Sequence, residues 1–123
     1  MAIKMVKTKS VQKPANKDDG IRICIMRRIK PKFEFDIWMP TLAPSTKLLK
    51  EYHDKKISWS KFEEKFKENV LRKQTEYLDI LINIAKKNTI TLLCWEETPE
   101  KCHRRLVTEK LKKMNPRIKT CIL

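Results

Sequence analysis

Residues 89–111 constrain the fold of this chain more than any other stretch. Residues 89–95 form a continuous apolar, β-prone run, which is typical of a strand buried on both faces. The following loop ends at Thr98, a plausible helix N-cap, with Pro99 at the first helical position and apolar residues at helical spacing beyond it. Ligands of open parallel sheets bind beyond the carboxyl ends of the strands, so this loop and helix start carry the best-placed chemistry.

The rest of the chain also alternates between the two kinds of element. The patterns predict strands at residues 2–7, 21–26 and 117–123, helices at 46–53, from about Ser58 and at 75–87, and an ordered loop with one helical turn at 33–44. Strands separated by helices favour right-handed crossovers and parallel pairing. We therefore predict that residues 1–123 form a single small three-layer α/β domain, with a mostly parallel sheet of about four strands covered by helices on both faces.

The composition narrows the range of partners. A single glycine excludes a glycine-rich phosphate loop and a dinucleotide fingerprint, because both need several glycines. The net charge of +14 favours nucleic acid, nucleotides or anionic surfaces as partners. A lysine-rich surface that binds no polyanion is the structural alternative. No known nucleic-acid-binding motif is visible, so the charge predicts non-specific nucleic-acid binding at most.

The cysteines and the lack of long apolar runs indicate the cellular compartment in which the protein is expected. The chain has four cysteines and begins with a stretch that does not resemble a secretory signal. No run approaches the roughly 18 apolar residues that a transmembrane helix needs. We therefore expect a cytoplasmic protein with reduced thiols and no membrane partner.

Cys102 is the strongest candidate for a reactive group. It precedes His103 and Arg104 in the first turns of the predicted helix, a setting that stabilises a thiolate. His103 points about 100° away on a helix and is therefore a poor base for its neighbour. Glu96 at the strand end and Asp36 in the loop are candidate acid–base groups. In the structural alternative, Cys102 is a packed thiol, and its two neighbours form a cap and a salt bridge.

Anion-binding groups are predicted at the same edge of the sheet. Arg27 and Arg28 follow the second strand, where a forked guanidinium could bind a carboxylate or phosphate, or could instead form a salt bridge across the rim with Asp36 or Glu96. Ser45 begins a helix, and its free N–H groups could assist.

Two further uses of the cysteines stay open. Cys94, Cys102 and His103 could hold zinc, although the paired spacing of structural zinc sites is absent. A disulfide between Cys94 and Cys102 would act mainly as a redox switch in a reducing cytoplasm. The Cys-x5-Arg spacing of cysteine phosphatases is absent, because Thr108 and Glu100 occupy the positions six residues after Cys102 and Cys94.

Five segments, in this order, resemble the family catalogued as domain of unknown function 488, YeaO-like branch: DDGIRICIMRR, DIWMPTLAPS, TKLLKEYHD, WSKFEEKF and TLLCWEETPEKCHR. The most specific motifs are DxWxxxLAPS and LLCxExxPxxCHR. The resemblance implies a compact α/β fold in a cytoplasmic bacterial or archaeal protein, and it implies no particular reaction. The family's recurrent residues are here Arg27, Asp36, Trp38, Pro44, Ser45, Cys94, Glu96, Cys102, His103 and Arg104. The family's Arg-x-Trp-Pro-Arg-Gly segment is replaced here by residues 27–32, so only Arg27 retains a counterpart.

We therefore predict an anion-binding pocket at the carboxyl ends of the strands and an enzyme acting on a nucleotide or nucleic-acid-derived substrate. The predicted roles are catalytic for Cys102, His103, Glu96 and Asp36, anion-binding for Arg27, Arg104 and Ser45, and pocket-lining for Trp38 and Cys94. No cofactor and no metal are expected, and the sequence does not predict an oligomeric state. The alternative is a non-enzymatic basic module that binds nucleic acid or a partner protein, in which the Cys-His-Arg motif is structural.

Overall fold

A five-stranded parallel sheet lies at the centre of the computed structural model, which describes residues 4–96 and 101–122. The strands are β1 (Met5–Ser10), β2 (Ile21–Cys24), β3 (Ile37–Trp38), β4 (Ile90–Cys94) and β5 (Lys119–Ile122). Their order is β3-β2-β4-β1-β5, and all neighbours are parallel. The helices are α1 (Thr46–His53), α2 (Trp59–Phe66), α3 (Thr75–Ala85) and α4 (His103–Met114), with a π-helical turn at Lys67–Leu71 and 3-10 turns at Lys17–Asp19 and Pro40–Leu42.

All four helices pack on the same face of the sheet. The register aligns Ile23 of β2 with Leu92 of β4, and both belong to one buried cluster that includes residues from every helix. Leu93 and Cys24 point to the opposite face and are buried outside this cluster. The chain path explains the asymmetry: the crossovers from β3 to β4 and from β4 to β5 step in the same direction, and crossovers of one hand then place their helices on one face.

A polar segment covers the other face. Lys9 and Arg22 extend from the strands to the buried carboxylate of Asp19, with Lys9 Nζ 3.1 Å from the nearer oxygen. The Thr91 hydroxyl donates to the Asp19 carbonyl oxygen at 2.6 Å. Two cations and these hydrogen bonds compensate for burying the carboxylate. The polar groups of this face are therefore used in holding the segment between β1 and β2.

The predicted fold class, a small α/β domain with a mostly parallel sheet, is confirmed, with two differences. The sheet has five strands in the described residues instead of about four, because β3 forms an edge strand inside the 33–44 segment, where the sequence predicts only a loop with a helical turn. The prediction of helices on both faces is not met: the helices form one layer, and the segment around Asp19 forms the other.

Serine caps fix the starts of α1 and α2. Ser45 Oγ accepts a hydrogen bond from the Leu48 N–H at 3.1 Å, and Ser58 Oγ accepts one from the Lys61 N–H at 3.1 Å. The bounds predicted for α1 and the predicted start of α2 are confirmed. The helices run from 8 to 12 residues, and none in the described part of the chain is long and apolar enough to cross a bilayer.

The last helix starts later than its sequence pattern predicts. α4 begins at His103, and Cys102 is its N-cap residue with extended backbone angles. The predicted cap Thr98 and first helical residue Pro99 lie outside the described residues. Cys102 therefore sits at the helix entrance rather than within its first turns, and it faces the end of β4.

Candidate functional site

A cavity of about 300 Å³ opens at the carboxyl ends of β2 and β4, between these strand ends and the starts of α1, α2 and α4. It is lined by Met26, Arg27, Arg28, Pro44, Thr46, Leu49, Tyr52, His53, Trp59, Phe62, Cys94, Trp95, Glu96, Lys101, Cys102 and His103. Ligand sites of parallel sheets form at this edge. The cavity thus brings together Arg27, Glu96, Cys94, Cys102 and His103 among the residues predicted from the sequence.

Aromatic rings form one wall of the cavity. Trp59 stacks on Phe62 with ring centroids 4.9 Å apart, and Tyr52 meets Trp59 edge-on at 5.5 Å. Trp95 lies on the strand side, is 43% exposed, and carries the Lys30 ammonium 4.9 Å from its ring centroid. The helical spacing of Trp59 and Phe62 predicts core residues, and that pattern does not distinguish a ring facing the core from one that also lines a cavity. These aromatic lining residues were therefore missed.

The charged residues at the cavity are mostly cationic. Arg27, Arg28 and Lys101 contribute positive charge, and Glu96 contributes a carboxylate. Arg27 donates from Nε to the Pro44 carbonyl at 3.2 Å and from one terminal nitrogen to the Ala43 carbonyl at 3.1 Å. Among the described residues it forms no ion pair. Its charge is therefore not neutralised by a described carboxylate, and Arg27 is one of the cavity-lining residues.

Two of the lining cysteines are bonded to each other. The structure joins Cys94, the last residue of β4, to Cys102 at the start of α4. This is the pairing that the sequence leaves open between the strand end and the helix start. Both side chains are nearly buried, with Cys94 1% and Cys102 4% exposed. Any chemistry that uses the Cys102 thiol therefore requires the reduced pair.

His103 is held as a neutral imidazole beneath the cavity. Its Nε2 lies 2.6 Å from the Ile25 carbonyl oxygen, which can only accept, so Nε2 carries the proton and Nδ1 the lone pair. Burial is the largest cause that lowers the pKa of His103 to about 4; the hydrogen bond to Ile25 opposes this shift, and the positive charges of Arg104 and Arg27 add to it. The ring also meets Phe66 edge-on at 5.6 Å. His103 therefore ties the start of α4 to the end of β2.

The lowered pKa of His103 predicts acid-sensitive stability. Because the folded pKa of about 4 lies below the ordinary 6.5, the unfolded chain takes up the proton first, and stability falls as the pH drops from 6.5 toward 4. The loss in the free energy of unfolding over this range should be about 3 kcal/mol. Urea titrations at pH 7.0, 5.5 and 4.5 measure it. His103→Gln should flatten this slope and His53→Gln should keep it; an unchanged slope in His103→Gln would refute the assignment.

Arg104 is fully buried under the cysteine pair rather than in the cavity wall. One of its terminal nitrogens donates to the Cys94 sulfur at 3.1 Å and to the Glu96 carbonyl oxygen at 2.7 Å. Burial lowers the pKa of Arg104, and the Glu96 carboxylate opposes that effect. Its guanidinium is thus directed at the end of β4 and lies next to the Cys94 sulfur.

Three further predicted site residues, besides Arg104, lie outside the cavity lining. The Asp36 carboxylate accepts the Arg22 backbone N–H at 2.8 Å at the edge of the sheet. The Trp38 indole is 43% exposed and donates to the Met26 carbonyl at 2.8 Å, so it braces a lining residue from outside. Ser45 uses its hydroxyl as the cap of α1, between the lining residues Pro44 and Thr46. The structure does not bring these side chains to Cys102.

The same cluster has the donor set of a metal site. The sulfurs of Cys94 and Cys102 and a ring nitrogen of His103 lie within 4.8 Å of one another. Two thiolates and an imidazole are ligands that zinc accepts, and the His103 N–H bond to a backbone carbonyl is typical of a histidine that binds a metal through its other nitrogen. Such an ion needs both cysteines reduced, so disulfide and metal are mutually exclusive states of this cluster.

Comparisons with known proteins agree with the motifs. The chain matches the family model described as "Active DUF488-N3 subclade" over residues 6–115. It is also similar to the uncharacterized protein YeaO of Escherichia coli strain K12, with 27% identity over 114 residues that cover 89% of this chain and 98% of the relative. No solved structure matches the chain. Since the family model spans most of the sequence, this chain belongs to the DUF488-N3a family.

Proposed function

We propose that this protein is an enzyme that binds an anionic, ring-bearing small molecule, of the nucleotide class, and acts on it with the reduced Cys102. One observation carries the proposal: Arg27, Glu96, Cys102 and His103 line a single cavity although they come from separate parts of the chain. Convergence of a cation, a carboxylate and a thiol in one cleft is typical of a catalytic site. The description of the matching family model as active is consistent with this reading.

The two kinds of surface in the cavity favour a nucleotide. The stacked rings of Trp59 and Phe62, with Tyr52 beside them, offer a planar apolar wall for a base. Arg27 and Lys101 offer donors for a phosphate, and a guanidinium binds phosphate with two parallel hydrogen bonds. The net charge of +14 would raise the local concentration of such anions.

The proposed chemistry divides among three groups. The Cys102 thiolate would be the nucleophilic group, stabilised by the start of α4 and by the buried Arg104 charge next to Cys94. His103, with a pKa of about 4, stays neutral near pH 7 and is a weak base, so it acts as a positioning residue. The acid–base role then falls to the exposed Glu96. This chemistry requires a compartment that keeps thiols reduced, such as the cytoplasm.

Arg27→Gln tests the binding part of the proposal. Binding of nucleoside 5′-monophosphates to the reduced protein can be followed by the fluorescence of Trp59 and Trp95, which line the cavity. Loss of the Arg27 charge should weaken binding about 30-fold, since a hydrogen bond to a charged group contributes about 2 kcal/mol. Glutamine keeps an N–H donor for the Ala43 and Pro44 carbonyls, which limits the change in the loop.

Arg117→Gln is the matched control. Arg117 is exposed and precedes β5, so it lies toward the amino-end edge of the parallel sheet, opposite the cavity. The Arg117→Gln substitution removes the same charge as Arg27→Gln. It should change the nucleotide affinity less than about twofold at 0.15 M salt, where a distant exposed charge is screened. Equal losses in both variants would contradict a localised anion site.

A basic binding module is the second candidate, and the +14 net charge is the observation that favours it. It predicts binding of any nucleic acid with an affinity that falls steeply with salt and does not depend on Arg27 or Cys102. The two variants above, measured against a single-stranded oligonucleotide between 50 and 200 mM salt (about the range over which phosphate contacts are screened), separate the two candidates.

A further inference from the structure

We propose that Cys102 is a reversible S-thiolation site, at which an anionic low-molecular-weight thiol opens the Cys94–Cys102 disulfide and so controls the cavity. The placement of the site follows from the cysteine pair and Arg104; only the consequence for activity rests on the proposed function. The surroundings of the two sulfurs determine which one is attacked and which one leaves. The charge and size of the cavity determine which kind of thiol enters.

The two sulfurs have different surroundings. Cys102 is the N-cap residue of α4 and is 4% exposed, whereas Cys94 ends a fully buried strand and is 1% exposed. Arg104 donates an N–H to the Cys94 sulfur at 3.1 Å. A charged donor stabilises the thiolate that accepts it, and the better-stabilised thiolate leaves faster in exchange. Cys94 is therefore the leaving sulfur and Cys102 the attacked one.

The exchange balances without any further redox partner. The incoming thiolate forms a bond to the Cys102 sulfur as the Cys94–Cys102 bond breaks, and the electron pair of the broken bond stays on Cys94 as a thiolate held by Arg104. A second molecule of the same thiol then attacks the external sulfur of the mixed disulfide. This step releases Cys102 as a thiolate and produces the oxidised dimer of the small thiol. Two thiols are thus oxidised to one disulfide while the protein disulfide is reduced to two thiols.

The cavity selects for an anionic thiol. Arg27, Arg28 and Lys101 outnumber Glu96 among its charged lining residues, so a thiol carrying carboxylates is attracted. The cavity has a volume of about 300 Å³, which is enough for a small molecule of about the size of a tripeptide or a single nucleotide. In the oxidised state and in the mixed disulfide the sulfur that would act on substrate is blocked, so the second exchange, which frees the Cys102 thiolate, would switch the site on.

Peptide mapping by mass spectrometry tests the site on the wild-type protein. The oxidised protein is mixed with glutathione as the probe thiol, quenched in acid at short times and digested. The mixed disulfide should appear on Cys102 at least ten times more often than on Cys94. The test uses no nucleotide, so it can succeed or fail independently of the nucleotide-binding result.

Two cysteine variants repeat the test from the other direction. Cys94→Ser, treated with glutathione disulfide, should accumulate a glutathione adduct on Cys102, and Cys102→Ser should accumulate at least tenfold less on Cys94. The Arg104→Met change should slow opening of the wild-type disulfide by glutathione at least tenfold. Arg105→Met is its control, because Arg105 is adjacent and forms ion pairs with Glu63 and Glu109. If Arg104→Met does not fold, the mapping on the wild type decides alone.

Several outcomes would overturn the inference. Adducts mainly on Cys94, or a protein whose two cysteines fail to form a disulfide with glutathione disulfide present, would each exclude it. Retention of one equivalent of zinc with both cysteines protected from modification would assign the cluster to a metal instead. An Arg104→Met rate equal to that of Arg105→Met would remove Arg104 from the leaving-group role.

Discussion

In the reduced protein at pH 7, iodoacetamide is expected to alkylate Cys102 about 30-fold faster than it alkylates the same residue in the urea-unfolded chain, as for thiolates stabilised at helix starts beside cations. The reason is local. Cys102 is the N-cap residue of α4 and lines the cavity, and the Arg104 guanidinium donates a hydrogen bond to the neighbouring Cys94 sulfur. Folding would otherwise slow the reaction, since the side chain is only 4% exposed. Faster reaction in the folded state is thus a specific sign of activation.

Cys24 and Cys121, the two cysteines outside the Cys94–Cys102 pair, serve as internal standards in the same experiment. Cys24 is buried, which raises the pKa of its thiol, and it should react only on unfolding. Cys121 is half-buried on the edge strand β5 and should react more slowly folded than unfolded. Cys102→Ala should remove the fast phase without changing the other two. A Cys102 that reacts no faster than Cys121 would contradict its role as a nucleophile.

Gly20→Ala is expected to destabilise the protein by more than about 3 kcal/mol, a loss typical of strained backbone combined with an unrelieved clash. Gly20 has a φ of +65°, which side chains rarely adopt. A Cβ atom there would lie 2.0 Å from the backbone oxygen of Thr89, which also accepts the Ile21 N–H. Relief would require separating the start of β2 from the start of β4. Urea unfolding followed by tryptophan fluorescence measures the change.

Lys55→Gly is the complementary change. Lys55 also has a positive φ, of 61°, in the turn after α1. Glycine there should stabilise the protein by up to about 1 kcal/mol, since the left-handed conformation costs other residues more than glycine. Similar small effects at both positions would mean that the close approach of Gly20 to Thr89 is not maintained in solution.

Local patterns predicted the helices well and the layers poorly. Ser45, Ser58 and the apolar spacing after them are short-range signals, and α1 and α2 begin where those signals indicate. The side of the sheet on which helices pack depends on strand order, which no local pattern contains. A clue was present in β1, where Lys7 and Lys9 alternate with Val6 and indicate one polar face.

The sequence predicted the site residues that follow the ends of strands. It did not predict the side chains whose direction depends on tertiary packing. Cys102 and Arg27 follow buried strands, and parallel strands bring such residues to one edge. Asp36 also comes near a strand, but its carboxylate is used by the Arg22 backbone N–H. Arg104 is one residue from His103 in sequence, yet it is fully buried and lies outside the cavity lining, and no local pattern predicts this difference between neighbours.

Protection of Cys102 by a nucleotide is the decisive experiment, because it asks whether the reactive sulfur and the anion site share one cavity. The alkylation rate of Cys102 in the reduced protein is measured with increasing nucleoside 5′-monophosphate, in the wild type and in Arg27→Gln. We predict a saturable decrease, about tenfold at a ligand concentration of about ten times Kd, and a shift of the curve to higher concentration in the variant. A Cys102 rate that stays constant at nucleotide concentrations that saturate binding would mean that the nucleotide binds elsewhere and that Cys102 does not share its site.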